Sequence, residues 1–140
     1  MYYLRTEASF DAVHFLKGYD GKCANIHGHR WRIAAEIQGE KLQEDEETKG
    51  MVIDFTDLKK DLKELCNSFD HILIYEENTL MDKTVNALSE EGFVLREVEF
   101  RPTAENLAKY FFDKIKEKGY DIHRVEVYET PNNCAIYEEG

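Results

Sequence analysis

Residues 2 to 14 alternate with period two: Tyr2, Leu4, Ala8, Phe10, Ala12 and His14 share one parity, and Arg5, Glu7, Ser9 and Asp11 share the other. That alternation predicts a half-buried strand. Gly18, Asp20, Gly21 and Asn25 mark residues 15–26 as a loop. Residues 27–38 alternate again, with His27, His29, Trp31, Ile33, Ala35 and Ile37 on one face and Arg30, Arg32, Glu36 and Gln38 on the other. The acidic stretch from Glu40 to Lys49, closed by Gly50, reads as a solvated hairpin loop, and Met51-Val52-Ile53 as a further apolar strand. Asp54 is placed to cap a helix over about 55–69, because Phe55, Leu58, Leu62, Leu65, Cys66 and Phe69 recur at helical spacing. Residues 78–91 are weakly helical in pattern, and 93–100 reads as a short strand. Pro102-Thr103-Ala104-Glu105 starts a second amphipathic helix with Thr103 as N-cap; its stripe is Ala104, Leu107, Ala108, Phe111, Phe112 and Ile115, and Gly119 ends it. Two strands, 122–129 and 134–138, follow around the Pro131-Asn132-Asn133 turn. The fold class predicted is α+β: an antiparallel sheet with two main helices packed on one face.

Composition narrows the picture. At 140 residues, 42% of them hydrophobic, the chain predicts one domain spanning 1–140 with a core that needs no disulfide staple. The net charge of −11 argues against a general nucleic-acid or membrane-surface binder. An anion could bind only at a local basic cluster. No apolar run approaches the ~20 residues that cross a bilayer. Met1 to Glu7 lacks the basic and apolar regions of a secretory signal. With three cysteines, this predicts a reducing, cytoplasmic setting.

Three of the five histidines gather at strand ends. His27 and His29 share a face because they are two apart in a strand. If the first two strands pair antiparallel, His14 joins them. Three neutral imidazoles suit zinc, and three protein ligands leave a fourth position open for chemistry. The bland alternative is histidines bonded to backbone. Cys23, four residues before His27, has three readings: a fourth zinc ligand, a nucleophile or general base beside a cation, or an idle thiol. Cys66 falls on a helical apolar stripe and reads as a core residue, and Cys134 as structural. Asp70-His71 could form a proton-transfer unit, although a helix-terminal pair is the simpler reading of the dipeptide. His123 reads as an ordinary surface residue. Glu129 shares parity with Val125 and Val127, so its carboxylate points to the apolar side. There it could accept two hydrogen bonds from a guanidine-like ring edge, or pair with one of the protein's own arginines.

Phe10-Asp11-Ala12-Val13-His14 followed by Cys23-Ala24-Asn25-Ile26-His27-Gly28-His29 resembles the signature of the 6-pyruvoyl-tetrahydropterin and 6-carboxytetrahydropterin synthase family. Gly50 to Phe55, Phe69-Asp70-His71, Pro102 to Asn106 and Val127 to Thr130 follow in the family's order, so the likeness covers essentially the whole chain. It implies the tunnelling fold and a homo-oligomer, commonly a hexamer, with active sites between subunits. It implies zinc on His14, His27 and His29, Cys23 and the Asp70-His71 pair as proton-transfer groups, and Glu129 as anchor of a pterin ring, with Thr103 and Glu105 near it. The implied substrate is 7,8-dihydroneopterin triphosphate. The compact chain is similar to the bacterial carboxy branch, which makes 6-carboxy-5,6,7,8-tetrahydropterin, acetaldehyde and triphosphate on the route to queuosine. The alternatives are pyruvoyl formation by triphosphate elimination, and a non-catalytic zinc- or pterin-binding protein. The chain departs from many carboxy-branch sequences after His71, where Ile72 to Asn78 and a helical stretch lengthen the segment before the next strand.

Overall fold

The computed structural model describes residues 1–140. Strands β1 (Tyr2–His14) and β2 (His27–Gly39) form a long antiparallel hairpin in which His14 faces His27, Ala12 faces His29 and Phe10 faces Trp31. The register follows from the alternation, since a one-residue slip would turn every apolar side chain of β1 to the other face. Strands β5 (Ile122–Thr130) and β6 (Asn133–Glu138) extend the sheet antiparallel beyond β2. On the other side lie β3 (Ile72–Glu76) and β4 (Leu95–Val98), giving the order β4-β3-β1-β2-β5-β6.

The sheet is mixed rather than antiparallel throughout, because β3 runs parallel to β1 and β4 parallel to β3. Both parallel pairings arise from helical crossovers. Helix α1 (Phe55–Asn67) returns the chain to β3, and α2 (Asp82–Glu90) carries it to β4. Helix α3 (Ala104–Glu117) then leads to β5. Asp54 and Thr103 cap α1 and α3 as the sequence predicts: their side chains accept the backbone N–H of Thr56 (2.8 Å) and of Asn106 (3.2 Å).

The main core lies between one sheet face and α1 and α3. Phe10, Ala12, Trp31, Ile33, Val125 and Val127 meet Leu58, Leu62, Cys66, Leu107, Phe111 and Ile115 there. Phe111 is fully buried and stacks against Phe10 and Phe69 at centroid distances of 6.1 and 5.6 Å. Helix α2 covers the opposite face, where Val85 and Leu88 pack on Phe15, Leu73 and Tyr75. Strand β3 is therefore covered on both sides, with Ile74 in the main core and Leu73 and Tyr75 in the second cluster. A strand covered on both faces reads as a continuous apolar run, so β3 has no alternation to detect.

Met51 to Ile53 does not form the expected strand. The Gln43 N–H donates to Met51 C=O (2.8 Å) and the Gly50 N–H to Gln43 C=O (3.1 Å), which ties the segment to the acidic loop. Val52 crosses over Gly39, where a Cβ would sit 2.6 Å from Val52 Cγ1. Cys66 is buried as predicted, whereas Cys134 is exposed on edge strand β6. His123 is not an ordinary surface residue: half-buried, it donates from Nδ1 to Glu36 (2.6 Å) and lies against the Tyr3 ring.

Candidate active site

The hairpin register brings His14, His27 and His29 to one end of the core face. Their rings lie 4.5 Å (His14 to His27), 5.2 Å (His14 to His29) and 4.9 Å (His27 to His29) apart, centroid to centroid. One nitrogen from each falls within 4.8 Å of the others, so the trio could hold a metal ion. The backbone sets the tautomers. His14 Nδ1–H donates to Pro102 C=O (2.7 Å) and His27 Nδ1–H to Asn25 C=O (2.6 Å). That leaves Nε2 of both rings as a lone pair. All three Nε2 atoms are buried without a hydrogen-bond partner. An unsatisfied polar atom in a core is costly, and three at one point are the arrangement a metal satisfies.

Burial pushes the His14 imidazole down to about 4, against the pull of its bond to Pro102, with His27 and His29 adding a smaller push in the same direction. Burial also lowers His29, partly countered by the Glu129 carboxylate. Both rings are therefore neutral near pH 7, the form that ligates. Trp31 forms the floor of the trio, edge-on to His14 (4.8 Å) and His29 (5.3 Å), and its Nε1–H donates to Ala12 C=O (3.3 Å).

Glu129 reaches the trio. Its Oε1 lies 3.4 Å from His29 Nε2, outside hydrogen-bond geometry, and no arginine pairs with it. Cys23 sits half-buried in a 3-10 turn over Lys22–Ala24, and its C=O accepts the Leu16 N–H (2.9 Å), which folds the loop back on itself. The turn carries its thiol on the same loop that runs from His14 to His27. Thr103 caps α3 next to Pro102, and Glu105 is exposed in the first turn of that helix.

Asp70 and His71 are joined to each other but not to the trio. His71 Nδ1–H donates to Asp70 Oδ2 (2.8 Å), and Asp70 Oδ1 accepts the Asp11 N–H (2.8 Å). The His71 N–H in turn donates to Asp11 C=O (2.6 Å), which holds His71 at φ 58°. That value lies in the left-handed region, uncommon for residues other than glycine, although histidine, asparagine and aspartate visit it more often than most. These contacts, the Asp11 N–H first, hold the Asp70 carboxyl below its ordinary range. His71 is 78% exposed and lines a groove with Asp11, Val13, Gly28, Arg30 and Leu73, a groove that also borders His29. Neither Asp70 nor His71 forms a hydrogen bond or ion pair with the trio or with Cys23.

Sequence reasoning missed the groups that orient the ligands. The carbonyls of Pro102 and Asn25 act through the backbone, and no side-chain pattern signals them. The Arg30–Asp11 pair (2.9 and 3.1 Å) was accessible in principle, because the hairpin register sets the two residues opposite each other.

The sequence model of the family described as 6-pyruvoyl tetrahydropterin synthase matches residues 3–140. A 6-carboxy-5,6,7,8-tetrahydropterin synthase from Haemophilus influenzae is 35% identical over 99% of this chain and 100% of its own length. One from Synechocystis is 32% identical, with 98% and 93% covered. Among solved structures, a Plasmodium vivax 6-pyruvoyltetrahydropterin synthase carrying a catalytic-residue substitution superposes with a TM-score of 0.76 at 20% identity over 99% of this chain and 98% of its own. That likeness speaks for the fold alone. With its histidine trio, its mixed six-stranded sheet and relatives matched along nearly their whole length, this chain belongs to the 6-pyruvoyl tetrahydropterin synthase family.

Proposed function

We propose that the chain is a zinc-dependent lyase that converts 7,8-dihydroneopterin triphosphate and water to 6-carboxy-5,6,7,8-tetrahydropterin, acetaldehyde and triphosphate, in the cytoplasm and on the route to queuosine. One observation carries the reading: three buried, unpartnered Nε2 atoms converge beside an inward carboxylate that no arginine neutralises. The names of the Haemophilus and Synechocystis relatives favour the carboxy product.

His14, His27 and His29 would hold the zinc, which when bound supplies Lewis acidity toward the substrate's side-chain oxygens. Glu129 accepts hydrogen bonds from the guanidine-like edge of the pterin and fixes the side chain over the trio, so that positioning contributes to rate. Thr103 and Glu105, at the start of α3, flank the ring. The Cys23 thiolate removes a carbon-bound proton. His71, oriented by Asp70, gives or takes a second; each such group contributes about 10²–10⁴-fold. The pair opens β3, beside the strand of His14, yet makes no hydrogen bond or ion pair with the trio or with Cys23. We therefore take Asp70 and His71 from a neighbouring copy in a homo-oligomer, a hexamer by family resemblance.

The test is a product assay on zinc-loaded protein given 7,8-dihydroneopterin triphosphate, with acetaldehyde trapped. Carboxy-tetrahydropterin with matching acetaldehyde is expected. A pyruvoyl product without acetaldehyde would move the chain to the other branch, and binding without turnover would make it a pterin-binding protein. Cys23→Ala is expected to keep zinc and lose turnover; loss of zinc and of stability together would make Cys23 a structural ligand.

A further inference from the structure

A chain of net charge −11 must find local cations for any polyphosphate. Five of its six arginines are engaged. Arg5 pairs with Glu126, Arg30 with Asp11, Arg32 with Glu7, and Arg124 with Glu36 and Glu126. Arg96 donates to Ser68 and Tyr110 and lies over the Phe69 ring. Arg101 differs. Its guanidinium makes one hydrogen bond, from Nη2 to Lys17 C=O (3.3 Å), its Nε is buried with no partner, and it forms no ion pair.

The surroundings of Arg101 point toward the histidine trio. Its neighbour Pro102 supplies the carbonyl that orients His14. The Arg101 C=O accepts the Thr103 N–H (2.8 Å) and Asn106 Nδ2 (2.9 Å), so this backbone is pinned. Lys17 and Lys22 lie on the loop that carries Cys23 from His14 to His27; both are exposed and neither forms an ion pair. The N-terminus of α3 opens three residues after Arg101 and adds a partial positive charge.

We propose that Arg101, with Lys17 and Lys22, is a polyphosphate-binding site that anchors the triphosphate of the substrate beside the histidine trio. This rests on the function proposed above and extends it to the leaving group. A guanidinium with free N–H groups matches phosphate oxygens in pairs, and two flexible ammonium groups add charge without demanding one geometry. Anchored at its phosphate end by Arg101 and at its ring by Glu129, the substrate would lie with its reacting side chain between the two, over the histidines.

Inorganic tripolyphosphate is the probe, titrated by calorimetry into zinc-loaded protein, with bound zinc measured afterwards to separate binding from chelation. The wild type is expected to bind, more weakly as salt rises. Arg101→Gln should weaken binding about 10- to 100-fold, as expected for losing hydrogen bonds to a charged group, and should raise KM for the triphosphate substrate while zinc content stays unchanged. Arg101→Lys should recover part of the loss, and Lys60→Ala on α1 should have no effect. The Lys17→Ala/Lys22→Ala double variant changes only exposed side chains, so its weakened binding supports the site even where Arg101→Gln folds poorly. Wild-type affinity in both Arg101→Gln and the double variant would overturn the proposal. So would absence of tripolyphosphate binding to a wild type that still releases acetaldehyde, which leaves the proposed reaction standing. Tripolyphosphate binding without turnover would keep the anion site and remove the reaction.

Discussion

The buried histidine trio predicts that the metal-free protein loses stability on mild acidification. His14 titrates at about 4 in the folded chain against an ordinary 6.5, because burial disfavours its charged form. Between those values the unfolded chain binds the proton and the folded chain does not. The contribution is thus complete above pH 6.5 and is lost as pH falls toward 4. From pH 7.5 to 5 the loss is about 2 kcal/mol at most, and solvent reaching half-buried His27 and His29 screens part of it. His29 is lowered by the same cause and adds in the same direction. Asp70 and Glu126 are held low, chiefly by the Asp11 N–H and by Arg5, so their losses fall below about pH 4.5 and outside this window. Urea unfolding followed by fluorescence of Trp31, the single tryptophan, measures the effect at pH 7.5, 6.5, 5.5 and 5.0. His14→Gln can still donate to Pro102 C=O but does not titrate, so its profile should flatten by most of that amount. An equal pH slope in the variant and the wild type would show that His14 is not the group whose burial sets this acid sensitivity.

Three other outcomes follow from the geometry. His71→Asn should leave the urea midpoint within about 0.5 kcal/mol of wild type or raise it, because asparagine tolerates the left-handed backbone at φ 58°, yet turnover should fall about 10²–10⁴-fold; mixed with Cys23→Ala protein under conditions that exchange subunits, it should regain about a quarter of wild-type turnover if the two groups meet across an interface. Phe111→Ala should cost about 3–5 kcal/mol in the same unfolding assay, since the ring is fully buried against Phe10 and Phe69. Gly39→Val should lower the thermal midpoint by several degrees, because a Cβ there meets Val52 Cγ1 at 2.6 Å and the adjoining loop must shift.

What could be read from the sequence depended on whether one face of each element meets water. β1, β2, α1 and α3 each have a wet side, so their periods are visible, and so is the parity that sets His14, His27 and His29 on the core face. β3 has none, and its four apolar residues in a row concealed both the strand and the parallel pairing it makes with β1. Met51 to Ile53 carried a strand-like composition, but the neighbouring loop already held its backbone. At the candidate site, the side-chain set was legible and the orienting carbonyls were not. The opposite error occurred at His123, where nothing in sequence places Glu36 on the next strand within 2.6 Å.

Strand parity also explains why Asp70 and His71 make no bond to the histidine trio within one chain. Asp11 and His14 are three residues apart in the same strand, so their side chains leave opposite faces of the sheet. The Asp70–His71 pair is fixed to the backbone of Asp11, through the Asp11 N–H on the Asp70 carboxylate and the His71 N–H on the Asp11 carbonyl. Moving His71 to the face of the trio would break both bonds and the first rung of the β1–β3 ladder, Ala12 opposite Ile72. Rotamer changes cannot supply such a move. Nor can the trio shift, since His14 is 1% exposed, bonded to Pro102 and edge-on to Trp31. Both halves are thus held in place, and within one chain they approach only along the groove that His71 and His29 both border. If the proposed reaction draws its Asp70–His71 pair from a neighbouring copy, it is the stiffness of the hairpin that makes such an encounter reproducible.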